Sequence, residues 1–223
     1  MSEKTTVYLV RHAQAEGNHK RIFQGFTDAE ISEIGEKQLE RLAERFREIE
    51  LDCIYASPLI RTMKTAMAVN RYHDLPIEVD ERLKEINGGE WEGQFWSTFP
   101  EKYPEINDNW ENHPERFQAI GGESMQELYE RVSRAVLDIV GRNRGKRIAI
   151  VSHGCAIRNM LCFLTYNDIG KLQDVDWCDN TAINLFEFDE NLKSRQLLRN
   201  CNRHLTDDIS TFAHQDWWRK DKE

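Results

Sequence analysis

Apolar residues are arranged along this chain in two alternating textures. Short unbroken runs at residues 7–10 (VYLV), 53–56 (CIYA) and 148–151 (IAIV) read as strands buried on both faces. Between them, apolar positions recur at helical spacing. One set is Leu39, Leu42, Phe46 and Ile49, a second is Leu59, Met63, Ala66 and Met67, and a third is Met125, Leu128, Val132, Val136 and Ile139. A further helix is predicted over residues 155–164 and a last strand over 182–188. Ser57 reads as an N-cap and Pro58 as the first helical residue, which puts Arg61 in the first turns of that helix. Residues 88–122 break the rhythm with crowded Trp, Phe, Tyr, Pro, Asn and Glu, as an excursion from the sheet would.

Strands alternating with helices predict an α/β fold: a three-layer αβα sandwich around a mainly parallel sheet. We expect one domain over residues 1–223, with 88–122 as a lid-like insertion within it. Ligands of such sheets bind beyond the carboxyl ends of the strands. His12 and His153 emerge there, each at the end of an apolar run. If those two strands are neighbours, both imidazoles face one crevice with Arg11 beside them.

Charge and composition narrow the chemistry. With 30 basic and 39 acidic residues the net charge is -9, which argues against a nucleic-acid surface and requires any anionic substrate to find a locally positive pocket. The first residues, MSEKTTVYLV, lack the features of a signal peptide, and no segment offers about 18 uninterrupted apolar residues, so a cytoplasmic protein without membrane contact is expected. Five cysteines without a CxxC pair suggest neither a disulfide framework nor zinc. HExxH, GxxxxGK[ST] and GxGxxG are absent, and no cysteine is followed six residues later by arginine.

A strand-terminal histidine is by default a loop residue, an arginine early in a helix pairs with a carboxylate, and Glu85 would be an exposed loop acid. Together they have a chemical logic. A phosphoryl group spreads its charge over three oxygens, and Arg11 and Arg61 supply forked cations for them. Helix N-termini after His12, after His153 and at Ser57 would add backbone N–H groups. A neutral imidazole can attack phosphorus, and a carboxylic acid such as Glu85 can protonate the leaving alkoxide and then accept a proton from water. This scheme calls for no metal and no cofactor.

Six ordered stretches resemble the histidine phosphatase superfamily, the phosphoglycerate mutase-like fold, in its branch of small bacterial-type phosphatases. They are LVRHAQAEGN, FQGFTDAEISEIGEKQ, YASPLIRTMKTA, LKEINGGEWEG, GGES and IAIVSHGCAIR. The resemblance covers nearly the whole chain. It implies that His12 is the nucleophile that becomes phosphohistidine, that Arg11, Arg61 and His153 bind the phosphoryl oxygens, and that Glu85 donates the proton. It also implies that Asn18 and Gln24 line the pocket and that Gly154 offers a backbone N–H. Two departures stand out. Ala13 replaces a usual glycine, whose extra methyl is expected to crowd the backbone modestly, and AEIS at residues 29–32 replaces Pro-Leu-Thr.

The implied activity is phosphomonoester hydrolysis on a small phosphorylated metabolite. Two other readings stay open: a phosphoglycerate mutase, or a silent binding module for phosphorylated ligands. A mutase is expected to carry a basic insertion, whereas residues 88–122 hold only Lys102 and Arg116 against seven acids. A silent relative is expected to have lost one of the five central residues, and all are present. The run His19, Lys20, Arg21 either steers anions or is a solvated loop. Trp91, Phe95, Trp96, Phe99, Tyr103 and Trp110 either wall the substrate or pack the excursion onto the sheet. Trp217 and Trp218 form a docking end or a dimer contact, with monomer and homodimer both compatible.

Overall fold

The computed structural model describes residues 4–216, so the Trp217 and Trp218 reading lies outside the described residues. Strand β1 (Thr5–Arg11) leads through a short helix, α1 (Glu16–Lys20), to α2 (Glu33–Phe46). Then come β2 (Cys53–Ala56), α3 (Ile60–Asn70) and β3 (Ile77–Val79). The excursion contains α4 (Phe99–Lys102) and α5 (Pro104–Asn112). It is followed by α6 (Met125–Arg142), β4 (Arg147–Ser152), α7 (Gly154–Tyr166), β5 (Ile183–Phe188), β6 (Ser194–Cys201) and α8 (Thr211–His214).

The six strands form one sheet in the order β3-β2-β4-β1-β5-β6. β3, β2, β4 and β1 run parallel, while β5 pairs antiparallel with both β1 and β6. The sandwich follows from strand pleat, because successive side chains point to opposite faces. Ile148 and Ile150 join one core with α6, α7 and the excursion, whereas Ala149 and Val151 join the other with Leu42 and Phe46 of α2 and Ala66 and Val69 of α3. The pairing of β1 with β4 sets Val10 beside Val151 and Arg11 beside Ser152, so the two chains leave the sheet side by side at His12 and His153.

One helix departs from its expected frame. α3 starts at Ile60 with Leu59 as N-cap, not at Pro58, because the Ser57 hydroxyl is committed to His153. Its buried positions include Thr62 and Thr65, whose hydroxyls serve backbone groups, and Met67 is 61% exposed instead of joining the stripe. The helix N-terminus expected after His12 belongs to a five-residue helix that starts at Glu16.

The excursion is anchored by aromatic packing. Trp91 is fully buried, stacked on Phe99 with centroids 4.0 Å apart, and meets Phe117 edge-on at 5.1 Å. Trp91→Ala should therefore cost about 3–5 kcal/mol, the usual range for deleting a large buried aromatic. Urea denaturation would read this as a lower midpoint, and a loss under 1 kcal/mol would mean that the excursion packs independently of this ring.

Candidate active site

His12, 4% exposed, follows the last residue of β1 and lines a cavity of about 300 Å³. Its backbone is fixed from both sides: its N–H donates to Ser152 O (3.0 Å), and its carbonyl accepts from Asn180 Nδ2 (2.9 Å). His12 Nδ1 lies 2.7 Å from the Ala13 carbonyl oxygen. A carbonyl only accepts, so Nδ1 carries the proton and Nε2 keeps its lone pair. Burial first, and then the charges of Arg61 and Arg11, hold the imidazole pKa well below its usual value, so the ring is neutral near pH 7.

Ala13 fits without strain. Its φ is not among the positive ones, its N–H donates to Thr65 Oγ1, and its methyl packs with Ile31, Leu39, Ala43 and Ala68. The expected crowding is absent because this methyl points into a small apolar cluster beneath the loop.

Two guanidinium groups flank the cavity. Arg11 donates from Nη1 to the Cys178 carbonyl, and its guanidinium lies against Gly154, where a Cβ would come within 3.3 Å of Nε. Arg61, 1% exposed, donates from Nη1 to Thr27 O (2.8 Å) and from Nη2 to Gly25 O (2.7 Å). Burial lowers its pKa to about 10, which leaves it charged at neutral pH. The carbonyls that hold Arg61 belong to a loop gathered by Glu92, whose carboxylate accepts from the N–H groups of Gly25, Phe26, Thr27 and Gly88. Gly25 has to be glycine here, since a Cβ would sit 2.0 Å from Ile86 O.

His153 stands behind His12, with ring centroids 5.2 Å apart, and is fully buried. Arg61 Nε can only donate, so His153 Nδ1, 3.1 Å away, accepts. The ring proton is then on Nε2, which donates to Ser57 Oγ at 2.7 Å. The two histidines are thus held in opposite tautomers. Of the residues singled out from sequence, Arg11, His12, Asn18, Gln24, Arg61, Glu85 and Gly154 line the cavity, whereas His153 contacts its neighbours behind the wall.

Glu85 is 8% exposed, not the loop acid of the default reading. Its Oε1 accepts from the N–H groups of Ile86 (3.0 Å) and Ala156 (2.9 Å), and Oε2 accepts from Cys155 (2.9 Å), so the carboxyl sits at the N-terminus of α7. Burial raises its pKa, outweighing the lowering by these N–H donors. Its backbone is held by Arg131, which donates to the carbonyls of Arg82, Lys84 and Glu85 and pairs with Glu123 at 2.7 Å.

Arg21, but not Lys20, reaches the cavity: Lys20 pairs with Glu16 at 2.9 Å, while Arg21 adopts a left-handed conformation (φ 59°) and lies over Trp96. Trp96 and Trp110 line the cavity too, and Trp91 and Phe99 pack beneath, so the aromatic set divides between wall and core. Glu92, Arg131 and Asn180 are supporting residues that the sequence reading missed, and Ser57, read there as a cap, supports His153 instead.

Four likenesses agree with this geometry. The chain matches the family model of the histidine phosphatase superfamily (branch 1) over residues 7–201. Phosphoserine phosphatase 1 of Hydrogenobacter thermophilus is 35% identical over 182 residues, 82% of this chain and 86% of that protein. The structure is similar to YhfR of Bacillus stearothermophilus, with TM-score 0.85, 29% identity, and coverage of 90% of this chain and 98% of that one. It is also similar to a phosphoserine phosphatase mutant of Entamoeba histolytica in complex with phosphoserine, with TM-score 0.79, 26% identity, and coverage of 91% of this chain and 100% of that one. No helix among the described residues is long and apolar enough to cross a membrane. A neutral histidine with a bare Nε2, flanked by two guanidinium groups and a carboxyl of raised pKa, sits in the fold that this family shares: the chain belongs to the histidine phosphatase superfamily and is a phosphomonoester hydrolase.

Proposed function

We propose that this enzyme hydrolyses a small phosphomonoester of the O-phosphoserine class through a phosphohistidine on His12. The carrying observation is the His12 tautomer, which presents an unprotonated Nε2 to a cavity that Arg11 and Arg61 also line. Arg11 and Arg61 bind the phosphoryl oxygens, helped by Asn18, Gln24 and the Gly154 N–H. Nε2 forms a bond to phosphorus as the bond to the leaving oxygen breaks, and Glu85 gives that oxygen its proton. The Glu85 carboxylate then takes a proton from a water molecule that attacks the phosphohistidine, which frees phosphate and restores His12. His153 holds the Arg61 fork from behind, so its part in phosphoryl binding runs through Arg61.

A cavity of about 300 Å³ suits a metabolite and not a folded phosphoprotein. Mutase chemistry needs a second phosphoryl anchor. The two cations of the excursion do not provide it, because Lys102 bonds Gln94 and Arg116 pairs with Glu115, and neither lines the cavity. The test is phosphate release in EDTA from phosphoserine, other small phosphate esters and an aryl phosphate, with phosphoglycerate mutase turnover measured in parallel. EDTA-resistant release with phosphoserine among the best esters supports the reading. Mutase turnover that outpaces release would overturn it.

A further inference from the structure

Beyond the phosphoryl pocket, one buried cation in the same cavity is not used by the hydrolytic cycle. Arg158 lies on α7 four residues after Gly154, so the two share a helix face and are about 6 Å apart along its axis. Gly154 is the residue against which the Arg11 guanidinium lies. Arg158 is therefore set one helical turn beyond that glycine and lines the same cavity as Arg11.

Arg158 is 4% exposed and lines the cavity. Its Nε donates to Val175 O (2.8 Å), and its Nη2 donates to Leu172 O (2.9 Å) and Gln173 Oε1 (3.4 Å). Its Cζ lies 4.8 Å from the centroid of Trp177. Nη1 takes part in none of these bonds. Each hydrogen-bonded partner is neutral and fixes the direction of the guanidinium; the charge of Asp176 also acts on it, and Asp176 is itself paired with Arg199 (3.6 Å). A buried cation held this way gains from an arriving anion, because the surrounding low dielectric strengthens the attraction.

We propose that Arg158 is the specificity-determining residue for the leaving group, binding a carboxylate about three bonds from the ester oxygen. The inference rests on the hydrolase reading and deepens it. A second phosphate is disfavoured at this end. Glu111 lines it, its carbonyl accepting from the same Gln173 (3.1 Å), and its carboxylate opposes a dianion more than a carboxylate with an ammonium beside it.

The test uses two matched ester pairs: phosphoserine against phosphoethanolamine, and 3-phosphoglycerate against glycerol 3-phosphate. In each pair only the first member has the carboxylate. For the wild type, the kcat/KM ratio within the pairs should be on the order of 100, the discrimination expected of a buried charge-assisted contact. In Arg158→Gln the ratio should fall below about 5, and Arg158→Lys should restore part of it because charge without the fork still attracts. Proportional loss for both members, with the ratio kept, would make Arg158 a structural clamp and overturn the inference. So would a wild type that ignores the carboxylate, a result that needs no variant to fold. If phosphoserine is poor but 3-phosphoglycerate wins its pair through Arg158, the serine assignment falls and the carboxylate site stands. If neither pair shows a preference for the member with the carboxylate while both esters are hydrolysed, hydrolysis stands and the carboxylate site falls.

Discussion

His12→Ala should lower phosphate release by at least about 10⁴-fold, because it removes the group proposed to accept the phosphoryl, and neither of its two nearest rivals can replace it. His153 has both ring nitrogens engaged, by Arg61 and Ser57, and does not reach the cavity. Cys155 does line the cavity, yet burial raises its thiol pKa well above the ordinary value, so it stays protonated and weakly nucleophilic. The measurement has two parts. Steady-state release gives the rate loss, and alkaline quenching of enzyme mixed with labelled phosphoester reads the covalent intermediate directly. Wild type should carry acid-labile label on the protein, and His12→Ala should carry none. Label of that kind on the variant would relocate the nucleophile and sink the assignment of His12.

The outline of this fold was legible because its centre is buried on both sides. A strand such as residues 148–151 has to be apolar at every position when helices cover both faces, and α6 has to repeat its apolar residues at helical spacing to cover one of them. The edges carry no such constraint. β3 is three residues long and mostly exposed, and β6 shelters Ser194, Gln196 and Asn200 on its more protected side, so neither leaves a hydrophobic period. The same contrast separates the parts of the site. Arg11, His12, Arg61 and His153 announce themselves by chemical type at strand exits and a helix start, while Glu85, in a loop, stands out only through the stretch LKEINGGEWEG. Glu92 does not, because its work is to accept four backbone N–H groups, three of them from a loop more than sixty residues earlier, and backbone donors leave no mark in a sequence. Ser57 misled for a related reason. A serine before proline at a helix start looks like a cap, and only the approach of β4 to β2 brings the competing His153 imidazole to it.

Glu85→Gln should divide the two halves of the cycle by leaving-group chemistry and by pH. An alkoxide leaving group needs its proton as the bond to phosphorus breaks, so kcat on alkyl phosphates should fall by about 10²- to 10⁴-fold, the usual range for a lost general acid. A nitrophenolate leaves without that help. With p-nitrophenyl phosphate the first step should survive, and the loss should appear in the second, where no carboxylate remains to take the proton of the attacking water. Phosphoenzyme should then accumulate, visible as a burst of nitrophenolate equal to the enzyme present. The pH profile of wild-type kcat on an alkyl ester follows from the signs of the two shifts. His12 has to be unprotonated, and its lowered pKa places the acid limb well below pH 6.5. Glu85 has to start protonated, and its raised pKa carries the alkaline limb above the ordinary carboxylate range. Activity should therefore fall away on both sides of a window between these two limbs, and the alkaline limb should vanish in Glu85→Gln, whose amide does not titrate. A variant that keeps the limb, or that slows aryl and alkyl esters equally without a burst, would show that the proton comes from another group.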